Sequence, residues 1–254
     1  MKIKHLLCFI ALCLFFTPGK AQQLSVMTLR NGATVYIWED KSKPDVFGMI
    51  AFKVGSVDDP EQYTGLAHYL EHVMFKGTQT IDALDWEKEK PIYEKIIAKY
   101  DERAALSDPA AREAVDKEIN DLTREAAQYA AGNEFSLLVD HMGGQGLNAS
   151  TGYDQTEYHN SFPPSQLEKW LEIYSERLID PVFRGFQTEL EAVYEEYNMY
   201  NDDRGSRMRE FIYEQAFGDH PYARPIIGLP EHLKNPQLSK LIDFYNTWYG
   251  PQNM

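Results

Sequence analysis

Past the first two dozen residues, the apolar positions fall first into runs of strand character. Thr34-Val35-Tyr36-Ile37-Trp38 follows an Asn31-Gly32 turn, and residues 46–54 are rich in β-branched and aromatic side chains. Residues 55–65, which hold Asp58-Asp59-Pro60, read as a loop. Residues 66–75 read as a helix closed by Gly77, a residue suited to the position just past a helix end. Between 82 and 134 the composition shifts to Ala, Glu, Lys and Arg. The spacing there predicts two amphipathic helices, 84–105 and 108–131, with Asp108-Pro109 starting the second. This αα-hairpin reads as an insertion. Strand character resumes at Leu147-Asn148-Ala149-Ser150 and at 156–162, and helices are expected over 163–179, 188–200, 207–217 and 237–248. The fold class is therefore α+β: a mixed, mostly antiparallel sheet with helices packed on one face.

The N-terminus follows a different rule. Lys2 and Lys4 precede an apolar run from Leu6 to Phe16, and Gly19 and Ala21 give a small-x-small site. This order reads as a signal peptide over 1–21, with the mature domain over 22–254, and predicts an exported, periplasmic or secreted protein. Eleven apolar residues are too few to span roughly 30 Å of hydrocarbon, so no transmembrane segment is expected after cleavage. Cleavage removes Cys8 and Cys13, the only two cysteines, and with them any thiolate chemistry or disulfide. The whole chain has 25 basic and 39 acidic residues for a net charge of −14, which disfavours nucleic acid as a partner.

The chemistry concentrates in His68-Tyr69-Leu70-Glu71-His72. At about 100° per residue, His68, Glu71 and His72 share one helix face. Two imidazoles four residues apart can hold one zinc ion, with the carboxylate beside the metal and free for other work. A third protein ligand is needed. His141, His159, His220 and His232 are isolated in the sequence, whereas Glu189-Leu190-Glu191-Ala192-Val193-Tyr194-Glu195-Glu196 is an acidic helix. Glu189 and Glu196 lie two turns apart on one face, roughly 10.5 Å along the axis, so one can reach a metal while the other supports a histidine from outside. Spacing alone leaves Glu195 and Glu196 both open as the ligand.

The inverted H-x-x-E-H, within Gly65-Leu66-Ala67-His68-Tyr69-Leu70-Glu71-His72-Val73-Met74-Phe75-Lys76-Gly77-Thr78, resembles the signature block of the M16 metallopeptidases. That family includes pitrilysin, insulin-degrading enzyme and the mitochondrial processing peptidase. Leu147-Asn148-Ala149-Ser150-Thr151 is similar to the family's Asn-Ala-x-Thr segment with one residue inserted or shifted, and 189–196 matches its third-ligand helix. The resemblance covers about residues 31–254. It implies a zinc metalloendopeptidase with one Zn2+ per chain held by His68, His72 and Glu196. Glu71 is implied as general base, Glu189 as the outer carboxylate, and Asn148 and Ala149 as the backbone-binding residues for a peptide substrate added as a strand.

Two departures accompany the resemblance. His72 and Glu196 are 124 positions apart, wider than the family spacing by about the length of the hairpin. Family members also continue past Tyr249-Gly250-Pro251-Gln252-Asn253-Met254 into further strands and a homologous second half that contributes Arg and Tyr. The chain therefore reads as a truncated N-terminal half, inactive without a second half or a partner subunit. Some family members are non-catalytic partner subunits, usually marked by a lost ligand; here every ligand position is filled. A purely structural zinc would need a fourth protein ligand, and none is evident.

Overall fold

The computed structural model describes residues 24–254. The expected signal peptide over 1–21 lies outside the described residues. The described residues form five strands: β1 (Leu24–Thr28), β2 (Thr34–Trp38), β3 (Val46–Phe52), β4 (Gln145–Thr151) and β5 (Thr156–Phe162). The helices begin with α1 (Leu66–Val73), the hairpin pair α2 (Trp86–Ala105) and α3 (Pro109–Ala126), and α4 (Glu134–His141). They continue with α5 (Leu167–Ile179), α6 (Phe186–Asp202), α7 (Arg204–Phe217), α8 (Pro230–Leu233) and α9 (Leu238–Trp248). No helix among the described residues is long and apolar enough to cross a membrane.

The sheet that matters for the site has the order β3-β5-β4, with every pairing antiparallel. Its central strand, β5, alternates strictly: Thr156, Tyr158, Asn160 and Phe162 are buried and the residues between them are half-buried. That period of two is what one face packed on a helical layer demands. Asn160 is a polar side chain inside this core. Its Oδ1 accepts from Trp170 Nε1 and Tyr174 Oη, each at 2.7 Å, so α5 is pinned to the sheet by a satisfied buried amide.

β1 and β2 form a separate two-stranded sheet instead of extending β3. Residues at the other end of the described chain bridge the two: Thr34 donates to the carbonyl of Met254 at 3.2 Å and Lys53 to that of Asn253 at 2.9 Å. The mostly antiparallel α+β reading holds, with its strands divided over two sheets.

The hairpin forms as two helices whose starts are capped by Asp85, accepting from Lys88 N, and Asp108, accepting from Ala111 N. The second helix stops at Ala126, short of residue 131. Gly132 and Asn133 then take left-handed backbone angles (φ 76° and 64°) and start α4, which the sequence pattern does not announce. Residues 127–129 form only a 3-10 turn.

Gly48 in β3 faces the Trp170 ring: a Cβ there would sit 2.6 Å from Cζ2 of Trp170 and 2.8 Å from Cε1 of Phe162. Gly48→Ala should therefore destabilise the fold by about 1–3 kcal/mol, as overpacking a close-packed core does, read as a lower urea midpoint. An unchanged midpoint would mean that the β3–α5 contact is looser than described.

Candidate metal centre

Seven of the eight residues of α1 are buried, His68 and Glu71 among them; only His72 is half-buried. Gly65 starts the helix in a left-handed conformation (φ 88°), and Leu66, Leu70 and Val73 anchor it in the core. The His68/Glu71/His72 face lies along the core's edge. On α6, Phe186, Leu190 and Val193 point inward, which turns Glu189 and Glu196 towards α1.

The structure brings His68, His72 and Glu196 together. Glu196 Oε2 lies 3.6 Å from His68 Nε2 and 3.5 Å from His72 Nε2, and one donor atom from each of the three residues falls within 4.8 Å of the others. Donors around a tetrahedral zinc with bonds of about 2.0–2.1 Å stand roughly 3.4 Å apart, so two imidazoles and one carboxylate at these separations fit the metal and leave a coordination position open. Among the described residues this is the one cluster of three or more potential ligands. Glu195 points elsewhere, into a groove shared with Arg103, Asp116 and Tyr194.

Electrostatics sort the two histidines. Burial, assisted by the neighbouring His72, pushes His68 down to about 4 against the pull of Glu196. Its Nδ1 has no hydrogen-bond partner among the described residues, so no hydrogen bond on that side of the ring favours a second proton. His68 is thus a neutral donor at ordinary pH. For His72 burial acts in the same direction, but hydrogen bonds to Glu189 and Glu196 outweigh it and hold the ring at about 9. A cation binding here displaces that proton.

Glu189 occupies the outer position. Its Oε2 is 3.5 Å from His72 Nδ1, and Lys76 Nζ pairs with its Oε1. Burial raises the Glu189 carboxyl, but His72 and Lys76 together keep it below its ordinary value. Glu71 is raised, chiefly by burial, with the Thr151 hydrogen bond, His72 and Arg177 acting against that. Thr151 Oγ1 donates to Glu71 Oε2 at 2.5 Å. Glu71 and Glu196 open on a cavity of about 430 Å3 whose other walls include Ala149, Tyr153, Tyr200 and Arg209.

Asn148 and Ala149 sit on β4, the outer strand of its sheet, opposite His159 and Tyr158 of β5. Ala149 lines the cavity; Asn148 is exposed and does not. The isolated histidines serve elsewhere: His232 Nδ1 bonds Thr64 Oγ1 at 2.8 Å, and His220 Nδ1 accepts from Tyr222 N. Sequence reasoning did not single out Thr151 or Lys76 for a role in the site. They lie within residues 65–78 and 147–151, but nothing in their spacing says which carboxylate each would meet.

The sequence model of the family described as Insulinase (Peptidase family M16) matches residues 34–90 and 119–229. The gap between the two matched stretches falls within the hairpin. An uncharacterized zinc protease of Mycobacterium leprae is 26% identical over 203 residues, 79% of this chain and 34% of that one. The zinc protease PqqE of Helicobacter pylori is 25% identical over 231 residues, 89% of this chain and 41% of its own length. The chain thus spans between a third and a half of these curated relatives. Among solved structures, the first half of the periplasmic protease PqqL from Escherichia coli superposes with a TM-score of 0.65 at 22% identity, covering 92% of this chain and 42% of that one. At that identity the likeness speaks for the fold.

The geometry predicts metal content. Purified protein should take up one zinc per chain, and His72→Ala or Glu196→Gln should weaken binding by roughly 100-fold or more, beyond the typical effect of outer partners. Equilibrium dialysis with metal analysis reads this directly. Undiminished binding by Glu196→Gln alongside a loss in Glu195→Gln would transfer the role to Glu195.

Proposed function

The chain belongs to the insulinase family, peptidase family M16, and from that premise we propose that it is the zinc-binding portion of a metalloendopeptidase acting on extended peptide segments. One observation carries the reading. A buried carboxylate outside the His68/His72/Glu196 set, Glu71, stands beside those three donors, is held by Thr151, and opens on the cavity.

His68, His72 and Glu196 would hold a zinc ion, which would supply Lewis acidity and acidify a bound water. The protein's own groups do the rest. Glu71, raised by burial towards the range useful for proton transfer, accepts the proton of the attacking water and hands it to the departing amine. Thr151 fixes the Glu71 rotamer through its hydroxyl. Glu189, paired with Lys76, holds the His72 ring in orientation from its far side. The free edge of β4, with Asn148 and Ala149, offers backbone groups on which an extended peptide adds as a strand running past the cavity.

Because the chain spans between a third and a half of the relatives' length, the remainder of such a protein, or a homologous partner subunit, is part of this proposal. It would close over the peptide and supply donors for the developing oxyanion. The 1–21 segment, read as a signal peptide, and the periplasmic PqqL among the structural neighbours support an exported location, periplasmic or secreted.

Two experiments test the proposal. In protein reconstituted with a homologous second half, Glu71→Gln should leave zinc bound while peptide hydrolysis falls by on the order of 10³-fold or more, since both proton transfers use that carboxylate. Near-normal turnover by Glu71→Gln would refute the mechanism. The 254-residue chain alone should bind zinc yet cleave unstructured peptides negligibly, because losing an oxyanion donor typically costs 10²–10³-fold. Cleavage should return when the second half is added in trans. Equal turnover with and without it would show that this portion is self-sufficient.

A further inference from the structure

The helix that presents His68, Glu71 and His72 is only eight residues long, well under the ~12–15 at which an isolated helix becomes even marginally stable. Its geometry must be imposed from outside. Its first residue is preceded by Gly65, which has no side chain to cap it, and its polar face is the one that would meet a metal. Some other group must therefore satisfy its ends.

At the N-terminal end that group is Asp59, from the 55–65 loop. Its Oδ2 accepts from Gly65 N at 2.7 Å and its Oδ1 from Ala67 N at 2.9 Å, so one buried carboxylate satisfies two of the helix's free amides. Burial pushes the Asp59 carboxyl up to about 7, against the two amide bonds and the charge of Arg224; above that pH it is an anion at the positive end of the helix dipole. Asp58 is its one acidic neighbour of consequence, and Arg224 also donates to the Asp59 carbonyl at 3.4 Å.

At the C-terminal end the group is Arg177 of α5, only 1% exposed. Its Nε donates to the Met74 carbonyl at 2.8 Å, while neither Nη atom has a hydrogen-bond partner among the described residues. An unpaired buried guanidinium is costly. Here aromatic faces offset part of the cost: its carbon lies 4.2 Å from the Phe75 ring centroid, 4.4 Å from Tyr158, 4.6 Å from Phe135 and 5.6 Å from Tyr174. A cation is thus held immobile at the negative end of the same helix.

We propose that Asp59 and Arg177 are paired positioning residues, a buried anion and a buried cation that grip the two ends of the histidine-bearing helix and set the separation of its donors. Neither touches the metal donors; each bonds a backbone group at one end of the helix, and the Arg177 charge also acts on Glu71. The inference rests on the zinc reading above.

The test is zinc affinity at pH 8, measured by competition with a zinc-binding dye, beside the melting temperature of the metal-free chain. Asp59→Ala and Arg177→Met should each weaken zinc binding by about tenfold or more, the range seen when support for a ligand is lost. The milder Asp59→Asn, which keeps one acceptor, and Arg177→Lys, which keeps a charge and a donor, should recover part of the loss. They also keep the test decisive if the harsher variants fail to fold. Val115→Ala, a cavity in the buried face of the hairpin, serves as the stability control. It should lower the melting temperature and leave zinc affinity unchanged. Zinc binding that falls in the Asp59 and Arg177 variants only as it does in Val115→Ala, or does not fall at all, overturns the proposal. Failure of the unaltered chain to bind zinc would instead overturn the metal reading, and the paired-residue proposal with it.

Discussion

Two short stretches of backbone must be held so that a carboxylate from one falls between two imidazoles from the other; the rest of the structure depends on that contact. Three carboxylates, Glu71, Glu189 and Glu196, crowd around the histidine face of α1. At an effective dielectric of about 20, two like charges 4 Å apart repel by about 4 kcal/mol. The structure answers each carboxylate separately. Lys76 pairs with Glu189, Thr151 bonds Glu71, and His72 stands between Glu189 and Glu196 and bonds both. Each answer comes from α1 itself, from the residues just after it or from the neighbouring strand, so the cluster survives only while α1, α6 and β4 keep their places.

What keeps α6 in place includes the hairpin. Tyr100 of α2 packs edge-on against Phe186 at 4.7 Å and donates to Gln187, in the first turn of α6. Just ahead of that turn, Arg184 clamps Glu89 of α2 through two hydrogen bonds of 2.6 and 2.8 Å and also reaches the carbonyls of Lys76 and Ile81. With Glu89 at 2% and Arg184 at 10% side-chain exposure, removing either partner would strand a buried charge. The segment that sequence reads as an insertion is therefore tied to the start of the glutamate helix and to the loop carrying Lys76. Tyr69, on α1 itself, donates to the Phe186 carbonyl and closes the circuit.

How much of this was legible in the sequence depends on the range of the forces involved. The α1 helix, the hairpin and the β5 alternation follow from local periodicity, and their boundaries agree to within a few residues. The elements that periodicity missed are short or marked by backbone geometry: α8 has four residues, and α4 starts at a left-handed Asn133, with Asp82 accepting from the Glu134 amide. The division into two sheets was illegible because the chain that bridges them bonds across 200 or more positions. At the site, helical spacing could not separate Glu195 from Glu196, which sit about 100° apart on one helix. The direction in which Phe186, Leu190 and Val193 bury their side chains decides which of them faces the histidines, and that depends on tertiary packing.

Net charge is a similar case. A chain at −14 suggests attraction for cationic peptides, yet 14 of its 39 acidic residues lie between Asp82 and Glu134, with 8 basic ones. Many of these are exposed on α2 and α3, and charges beyond about 8–10 Å are largely screened at physiological salt. The cavity wall beside Tyr153, Tyr200 and Ile226 instead carries Glu210 and Arg209, of opposite sign. That wall has no net charge and much ring surface, and zinc would cancel most of the charge of Glu196. Under the proposed function, selectivity at this end of the site would therefore follow the shape and apolar area of a peptide side chain more than its charge, with the backbone of β4 providing register.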